Sequence, residues 1–402
     1  VLVSVLAAFA AAETSKSANP CSMSTTLTAA SAVSQLNSCT TLDGQITIKG
    51  NEVAALDLGQ VRTIKGDVTV FNSSSITSIN LNALANVTGS LLLSALTTLN
   101  NVQFVLLTSG NKLSFVSLPS LASLNLGSGL ANITSLTLSD TALGSIDKLL
   151  LFESIGVLNV NNNKNITSID LSDLKTVNTG LTLSFNSAQA TINLPNLVSA
   201  GNLTIQNVAS LDISKLKFVN DSFVLGYNSF KSVTFDSFSF AGASLQVFAN
   251  NALTTLKMPN LTKIDGELRV FNNSLLRNVD ISNLETVEGA VSLIGDFGNL
   301  DWANLKSIKG DFSLAASARN FSCSQYDMLQ SNNKIRGFKY NCSSPTSTSL
   351  ASRSGSSTAT GHSSSSSGSS KDPSSSPKKS GAAYLSPGML ISVAMSAAIA
   401  VI

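Results

Sequence analysis

The sequence predicts an all-β fold, a parallel β-solenoid of about 22 residues per coil. Three observations predict it. A small residue recurs at intervals of 20 to 24 residues, each interval contains two short alternating apolar runs, and no interval has room for an amphipathic helix. The recurring position marks thirteen coils, and it is occupied by Gly44, Gly66, Gly89, Gly110, Thr134, Gly156, Gly180, Gly201, Asp221, Ala243, Gly266, Gly289 and Gly310.

The repeat is visible when separate segments are compared. LDLGQVRTIKGDVTVFN runs from Leu56 to Asn72, and LKMPNLTKIDGELRVFN runs from Leu256 to Asn272. Alternation of apolar and polar residues indicates strands with one buried face, and stacked coils would place parallel strands about 4.8 Å apart. The predicted core column of the first strand in each coil contains Leu58, Leu81, Leu171, Leu194, Ile213, Met258, Ile281 and the only tryptophan, Trp302.

Asparagine recurs six or seven positions after the small residue. In a solenoid turn, stacked asparagine amides can bond neighbouring backbone groups that the turn leaves unpaired. We therefore expect a buried ladder in this column, with ligand binding as the alternative. The asparagines concerned are Asn72, Asn162, Asn186, Asn207, Asn228, Asn250 and Asn272.

The four cysteines lie only near the ends of the repeat region, residues 21–342. They allow three pairings. Their segregation in sequence favours Cys21–Cys39 and Cys323–Cys342, at the two positions where a solenoid needs capping segments. Zinc is a poor alternative, because no C-x₂-C spacing occurs and the only histidine, His362, lies outside the repeats. No metal site and no cofactor is expected.

Both ends of the chain resemble processing signals. Residues 1–12 read as a secretory signal peptide that lacks its first residues. A serine-rich stretch, 343–379, predicts a disordered stalk, since it contains too few apolar residues to form a core. Small residues, a spacer and an apolar tail then predict a glycosylphosphatidylinositol (GPI) signal over 381–402, with attachment at Ser380 or, as runner-up, Gly381. A transmembrane span is the alternative, although the tail is short for one.

Composition narrows the functional classes. Charged residues make up 12% of the chain and the net charge is +2, without a basic patch for nucleic acid. A polysaccharide-cleaving enzyme would need two suitably spaced carboxylates. A column of aspartates (Asp57, Asp170, Asp212, Asp280, Asp301) is the best candidate, but only Asp280 and Asp301 occupy consecutive coils. A solvated strand face explains the column equally well, so no catalytic residue is expected.

An unusually aromatic stretch is the candidate ligand surface. It contains Phe235, Phe238 and Phe240, and an irregularly packed coil is the alternative. Aromatic side chains are common platforms for sugars, because each presents a large apolar face to the ligand.

Ten N-x-S/T sequons are candidate N-glycosylation sites. Those at Asn72 and Asn272 coincide with the asparagine column, so we expect lower occupancy there than at Asn86 or Asn320, because a buried amide cannot carry a glycan. The ten are Asn72, Asn86, Asn132, Asn165, Asn202, Asn220, Asn260, Asn272, Asn320 and Asn341.

The order of these segments along the chain resembles that of one known protein family. The stretch from Ala55 to Asn72, the repeated coils, the flanking cysteine pairs and the serine-rich tail look like the fungal GPI-anchored cell-wall organisation proteins, which are related to yeast sporulation-specific wall proteins. Their ectodomains are similar to the leucine-rich L domains of insulin and EGF receptors. The resemblance implies an extracellular glycoprotein at the plasma membrane or in the wall, without catalytic activity, that supports wall assembly and integrity.

Partners implied by the same resemblance are the plasma membrane, through the lipid, and wall glucan or mannoprotein. A carbohydrate- or protein-binding surface receptor or adhesin is the alternative function, and a wall-remodelling enzyme is a weaker one.

Overall fold

The computed structural model describes residues 19–147 and 149–345, which lie within one compact unit. Each strand pairs in parallel with the equivalent strand one coil before and one coil after it. The result is a β-solenoid of thirteen coils with about 22 residues each, as the sequence predicts.

Eleven of the thirteen coils begin with a three-residue strand. Equivalent strands form three separate small sheets along one side of the solenoid. The first sheet contains Ala55–Asp57, Ser78–Asn80, Asn101–Gln103 and Ser123–Asn125; the second contains Ser168–Asp170, Thr191–Asn193 and Ser210–Asp212; the third contains Ser232–Thr234, Thr255–Lys257, Asn278–Asp280 and Asn299–Asp301.

The rest of each coil contributes to one sheet of 22 strands. Here a two-residue strand turns a corner into a longer strand, and in the middle coils the two form one continuous strand with a register shift at the corner. The two-residue strands are Thr41–Leu42, Thr63–Ile64, Phe218–Val219, Phe240–Ala241, Lys263–Ile264, Thr286–Val287 and Ser307–Ile308. The long strands are Thr25–Leu27, Gln45–Lys49, Asp67–Ser73, Asn86–Leu96, Ser109–Leu118, Asn132–Thr141, Ser154–Asn161, Thr176–Ser184, Ser199–Gln206, Phe223–Gly226, Leu245–Phe248, Leu268–Phe271, Val291–Gly295, Phe312–Ala316 and Tyr340–Ser343.

Leucine, isoleucine and valine fill the interior from end to end, in one continuous cluster. Every residue of the predicted core column is buried, including Trp302 at 2% exposure, whose indole N–H donates to the carbonyl of Leu284 (2.8 Å). The core assignment is therefore confirmed.

The corner explains the recurring small residue. A Cβ on Gly66 would lie 1.9 Å from the carbonyl oxygen of Gly44, and one on Gly266 would lie 2.0 Å from that of Ala243. Since no Cβ can approach an oxygen this closely, glycine is required where the backbones of successive coils touch. At Gly180 the atom nearest to an added Cβ would be 3.9 Å away. The steric requirement for glycine therefore differs from coil to coil.

Both ends are capped, as the cysteine positions predict. At the start, the helix Ala30–Val33, the 3₁₀ turn Ser34–Ser38 and the disulfide Cys21–Cys39 cover the first coil. At the end, the helix Ser324–Ser331 and the disulfide Cys323–Cys342 cover the last.

The closing cap also contains an aromatic cluster. The ring of Tyr326 lies 5.4 Å from Phe312, 6.2 Å from Phe321 and 6.4 Å from Trp302. Burial raises the pKa of the Tyr326 phenol, which stays protonated at neutral pH.

The asparagine ladder is present, but the asparagines predicted from the sequence occupy two different positions of the turn. Asn186, Asn228 and Asn250 are buried ladder members, together with Asn163 and Asn273, which the prediction missed. In contrast, Asn72, Asn162, Asn207 and Asn272 precede the ladder position and have positive φ angles, 53° to 58°. The assignment was wrong for these four, because the number of residues between the corner and the turn varies by one among coils.

Each ladder amide joins neighbouring coils. The Nδ2 of Asn250 donates to the carbonyl of Leu225 (3.1 Å), and its Oδ1 accepts from the backbone N–H of Asn228 (2.9 Å). Asn228 and Asn273 make equivalent bonds, each to the coil that precedes its own. The ladder thus satisfies buried backbone groups that the turn removes from the sheet.

Candidate ligand-binding surface

The outer face of the long strands carries very little charge. We call the two central outward positions of each long strand the long-strand face; in one coil these are Thr182 and Ser184, and in the next Thr204 and Gln206. From Thr69 to Phe248 no residue at these positions is charged. Hydroxyl and amide side chains predominate, so this surface offers hydrogen bonds without a strong electrostatic field.

Four aromatic side chains form a continuous strip along this face. We define the aromatic strip as Phe185, Tyr227, Phe248 and Phe271. Successive ring centroids are 5.8, 5.4 and 5.3 Å apart, and the last pair is stacked with an interplanar angle of 13°. The guanidinium of Arg269 lies 4.7 Å from the centre of the Phe271 ring and ends the strip.

Local backbone features bring the four rings together. Phe248 and Phe271 occupy the same outward position in consecutive strands. Phe185 and Tyr227 occupy the positive-φ turn position, at 50° and 59°. Gly226, whose added Cβ would lie 2.9 Å from Phe248 Cζ, leaves the space into which that ring packs.

The strip is accessible, although its members differ. Tyr227 is 51% exposed, and the other three rings are half-buried. Sequence reasoning missed this surface because its four rings are separated by 21 to 42 residues in the chain. The available signal was an aromatic residue at an outward strand position, as in V-F-N at Phe271.

The predicted ligand surface at Phe235, Phe238 and Phe240 is not a surface. Phe235 and Phe238 are 1% and 0% exposed, and their rings contact Phe223 edge-on at 5.5 and 5.4 Å. Phe240 is half-buried in a two-residue strand. The prediction was wrong because the alternation that buries Leu in other coils buries phenylalanine here.

Aspartates of the column accept hydrogen bonds from the turn that follows their short strand. Oδ1 of Asp57 accepts from the backbone N–H of Gly59 (3.0 Å) and from Nδ2 of Asn80 (2.9 Å). Asp280 similarly accepts from the N–H of Ser282 (3.2 Å) and its hydroxyl (2.8 Å). Asp280 and Asp301 are register neighbours, but the carboxylate of Asp280 is held by its own turn.

The sequon asparagines lie on the surface. Nine of the ten are exposed, and Asn86 is half-buried with its Oδ1 accepting from the hydroxyl of Ser109 (3.2 Å). Asn72 and Asn272 are among the exposed ones. The predicted conflict between ladder and glycan at these two positions is therefore removed.

Several predictions concern residues outside the described ranges. The signal peptide, the stalk from residue 346 onward, and the attachment residues Ser380 and Gly381 remain predictions. Within the described ranges, no helix is long and apolar enough to cross a membrane.

Comparison with known proteins decides the family. The chain is 44% identical over 357 residues to a cell surface GPI-anchored protein, ECM33, of Candida albicans, covering 89% of this chain and 86% of the relative. It belongs to the fungal ECM33/SPS2 family of wall proteins. The Aspergillus fumigatus protein ecm33 is 30% identical, with 81% of each chain covered. Sporulation-specific protein 2 of Saccharomyces cerevisiae is 27% identical over 76% of this chain.

Family membership places the protein at the fungal cell surface, as a GPI-anchored or wall-associated glycoprotein. No family model matches the chain. No solved structure matches it either.

Proposed function

We propose that this ECM33/SPS2-family protein is a non-catalytic surface glycoprotein that supports the assembly, organisation and integrity of the fungal cell wall. The observation that carries the proposal is the match to the Candida albicans relative across most of both chains. Relatives from other fungi are named as cell wall proteins.

The geometry favours a scaffold over an enzyme. Four aspartates of the column act as acceptors in turns, where Asp57, Asp170, Asp212 and Asp280 each accept from the backbone N–H two residues later. Asp280 is one member of the best catalytic pair. A carboxylate fixed in this way explains the column without a reaction.

Attachment completes the proposal. A GPI lipid at Ser380, with Gly381 as the alternative, would hold the solenoid at the plasma membrane, and the stalk would place it within the wall. Phosphatidylinositol-specific phospholipase C should release the protein, and a chain truncated after Lys379 should be secreted. Retention of the truncated chain on membranes would contradict the anchor.

A second function is favoured by the aromatic strip: a receptor or adhesin that binds carbohydrate or protein. Contiguous aromatic rings that reach the surface, here one exposed and three half-buried, often mark an interaction site.

The main experiment is replacement of the Candida albicans relative by this chain. We expect restored growth in the presence of a wall-binding dye. The double variant Asp280→Gln with Asp301→Gln removes both carboxylates without creating a sequon, and glutamine already occupies the equivalent short-strand position at Gln103, so this variant should restore growth equally. Loss of rescue by this variant, at normal surface abundance, would contradict the non-catalytic assignment.

A further inference from the structure

We propose that the aromatic strip binds a linear polysaccharide of β-linked, all-equatorial hexoses, lying along the solenoid axis. The inference rests on the proposed wall function, and it assigns a binding site to specific residues. It follows from three features of the long-strand face: its shape, its apolar rings and its lack of charge.

The shape fits an extended chain. The rings of Phe185, Tyr227, Phe248 and Phe271 come from a stretch of five consecutive coils, and their centroid separations give a strip no longer than about 16.5 Å. Neighbouring centroids lie 5.3 to 5.8 Å apart, a repeat comparable to the length of one hexose. A linear polymer lying along the axis would therefore pass the four rings in turn, with its main contact at Tyr227.

The rings fit the apolar side of such sugars. When every ring substituent is equatorial, as in β-linked glucose or N-acetylglucosamine, the axial C–H bonds form an apolar patch above and below the sugar. Aromatic faces carry partial negative charge and attract these C–H groups. Tyr227, which is 51% exposed, is the ring most available for this contact, whereas Phe248 and Phe271 stack on each other at 13° and contribute the exposed parts of their rings beside it. Mannose has an axial hydroxyl that interrupts the patch, so the strip should discriminate against mannan.

The polar surroundings fit the sugar hydroxyls. Thr204, Gln206 and Gln246 lie at outward positions of the strands that the strip crosses, and all three are half-exposed. Amides and hydroxyls both donate and accept hydrogen bonds, as neutral sugars do. Charged side chains would lose hydration against a neutral polymer without compensation, and within this span they are absent from the long-strand face up to Arg269.

A sequon beside the strip affects the design of the experiment. Asn272, a sequon residue, directly follows Phe271 and is exposed, so a glycan attached there could reach the strip. The substitution Asn272→Gln should therefore be present in every protein compared.

The chain itself supplies substitutions that preserve the fold. Tyr227 can be replaced by alanine, which occupies the same positive-φ position at Ala249, and Phe248 can be replaced by glutamine, which occupies the same strand position at Gln206. Alanine at 227 also avoids the N-x-S sequon that asparagine would create before Asn228 and Ser229. Phe71→Gln is the matched control. Phe71 is an outward phenylalanine at the equivalent strand position, remote from the strip and close to Lys49.

The experiment measures co-sedimentation of the purified full-length protein, in detergent, with insoluble β-glucan, chitin and mannan. We expect binding to β-glucan or to chitin, and the two arms distinguish these sources. Tyr227→Ala and Phe248→Gln should each weaken binding roughly three- to tenfold. Phe71→Gln should bind like the parent.

Three results would overturn the proposal: no binding of the parent to β-glucan or chitin, equal binding by the strip variants, or equal binding to mannan. Rescue of wall growth by a chain that binds no polysaccharide would refute this inference alone. Polysaccharide binding without rescue would refute the proposed wall function alone.

Discussion

Two adjacent turn residues in most coils have opposite requirements. The first has a positive φ and points outward, as at Asn72 and Asn272, and the second is buried and bonds the neighbouring coils, as at Asn250. Asparagine suits both, the first because it tolerates this backbone conformation and the second because its amide both donates and accepts.

Loss of a ladder amide should be costly. Asn250→Ala would leave the carbonyl of Leu225 and the N–H of Asn228 without partners in a fully buried position. With about 1–3 kcal/mol for each unsatisfied group, we expect a loss of roughly 2–4 kcal/mol, measured by urea unfolding. Asn251→Ala, on the exposed neighbour, should change stability little. Equal effects of the two substitutions would contradict the ladder.

The corner glycines give a second comparison. Gly266→Ala should destabilise the protein by about 1–3 kcal/mol, because the new methyl group would overlap the carbonyl oxygen of Ala243. Gly180→Ala meets nothing closer than 3.9 Å and should be neutral or slightly stabilising, since alanine restricts the unfolded chain. Thermal unfolding of the two variants checks this, and a similar loss in both would argue against the close approach.

Glycan occupancy should follow exposure. Asn72 and Asn272 are exposed, whereas Asn86 is half-buried and accepts a hydrogen bond from Ser109. We therefore expect occupancy at Asn72 and Asn272 to equal or exceed that at Asn86, measured by site-resolved glycopeptide mass spectrometry. Clearly lower occupancy at both would mean that the turn is inaccessible to the glycosylating enzyme.

At the scale of elements, periodicity predicted the strands, the core column and the capped ends. These features depend on local alternation and spacing, which are visible in one sequence. The turn was predicted less well, because a one-residue difference between coils exchanges Asn162 with Asn163 in the ladder. The aromatic strip was missed for a different reason: Phe185 and Tyr227 meet only after coils stack.

The closing cap should unfold independently when its disulfide is removed. The double variant Cys323→Ala with Cys342→Ala removes a bridge worth roughly 3 kcal/mol next to Trp302, the only tryptophan in the chain. In urea, Trp302 fluorescence should shift to the red before the strand signal in circular dichroism is lost. The matched variant Cys21→Ala with Cys39→Ala affects the opposite end, so its tryptophan transition should occur with, or after, the loss of strand signal.

At the scale of the whole molecule, each coil of the solenoid contacts chiefly its neighbours. Stability is then close to a sum over coils and the interfaces between them. The continuous core and ladder make equivalent positions in different coils interchangeable, provided that the register of buried and exposed residues is kept.

Removal of one complete coil should therefore be tolerated. Deleting Asn163–Phe185 joins Asn162 to Asn186, so one ladder asparagine replaces another and every later residue keeps its face. The shorter deletion Lys164–Phe185 leaves Asn163 and Asn186 in tandem, which adds one residue to the turn and shifts the following strands out of register. We expect the first protein to be secreted and to unfold cooperatively at a somewhat lower temperature, and the second to be retained in the cell or to aggregate. If neither shortened protein folds, the coils are not interchangeable. If both fold, register does not determine whether this solenoid folds.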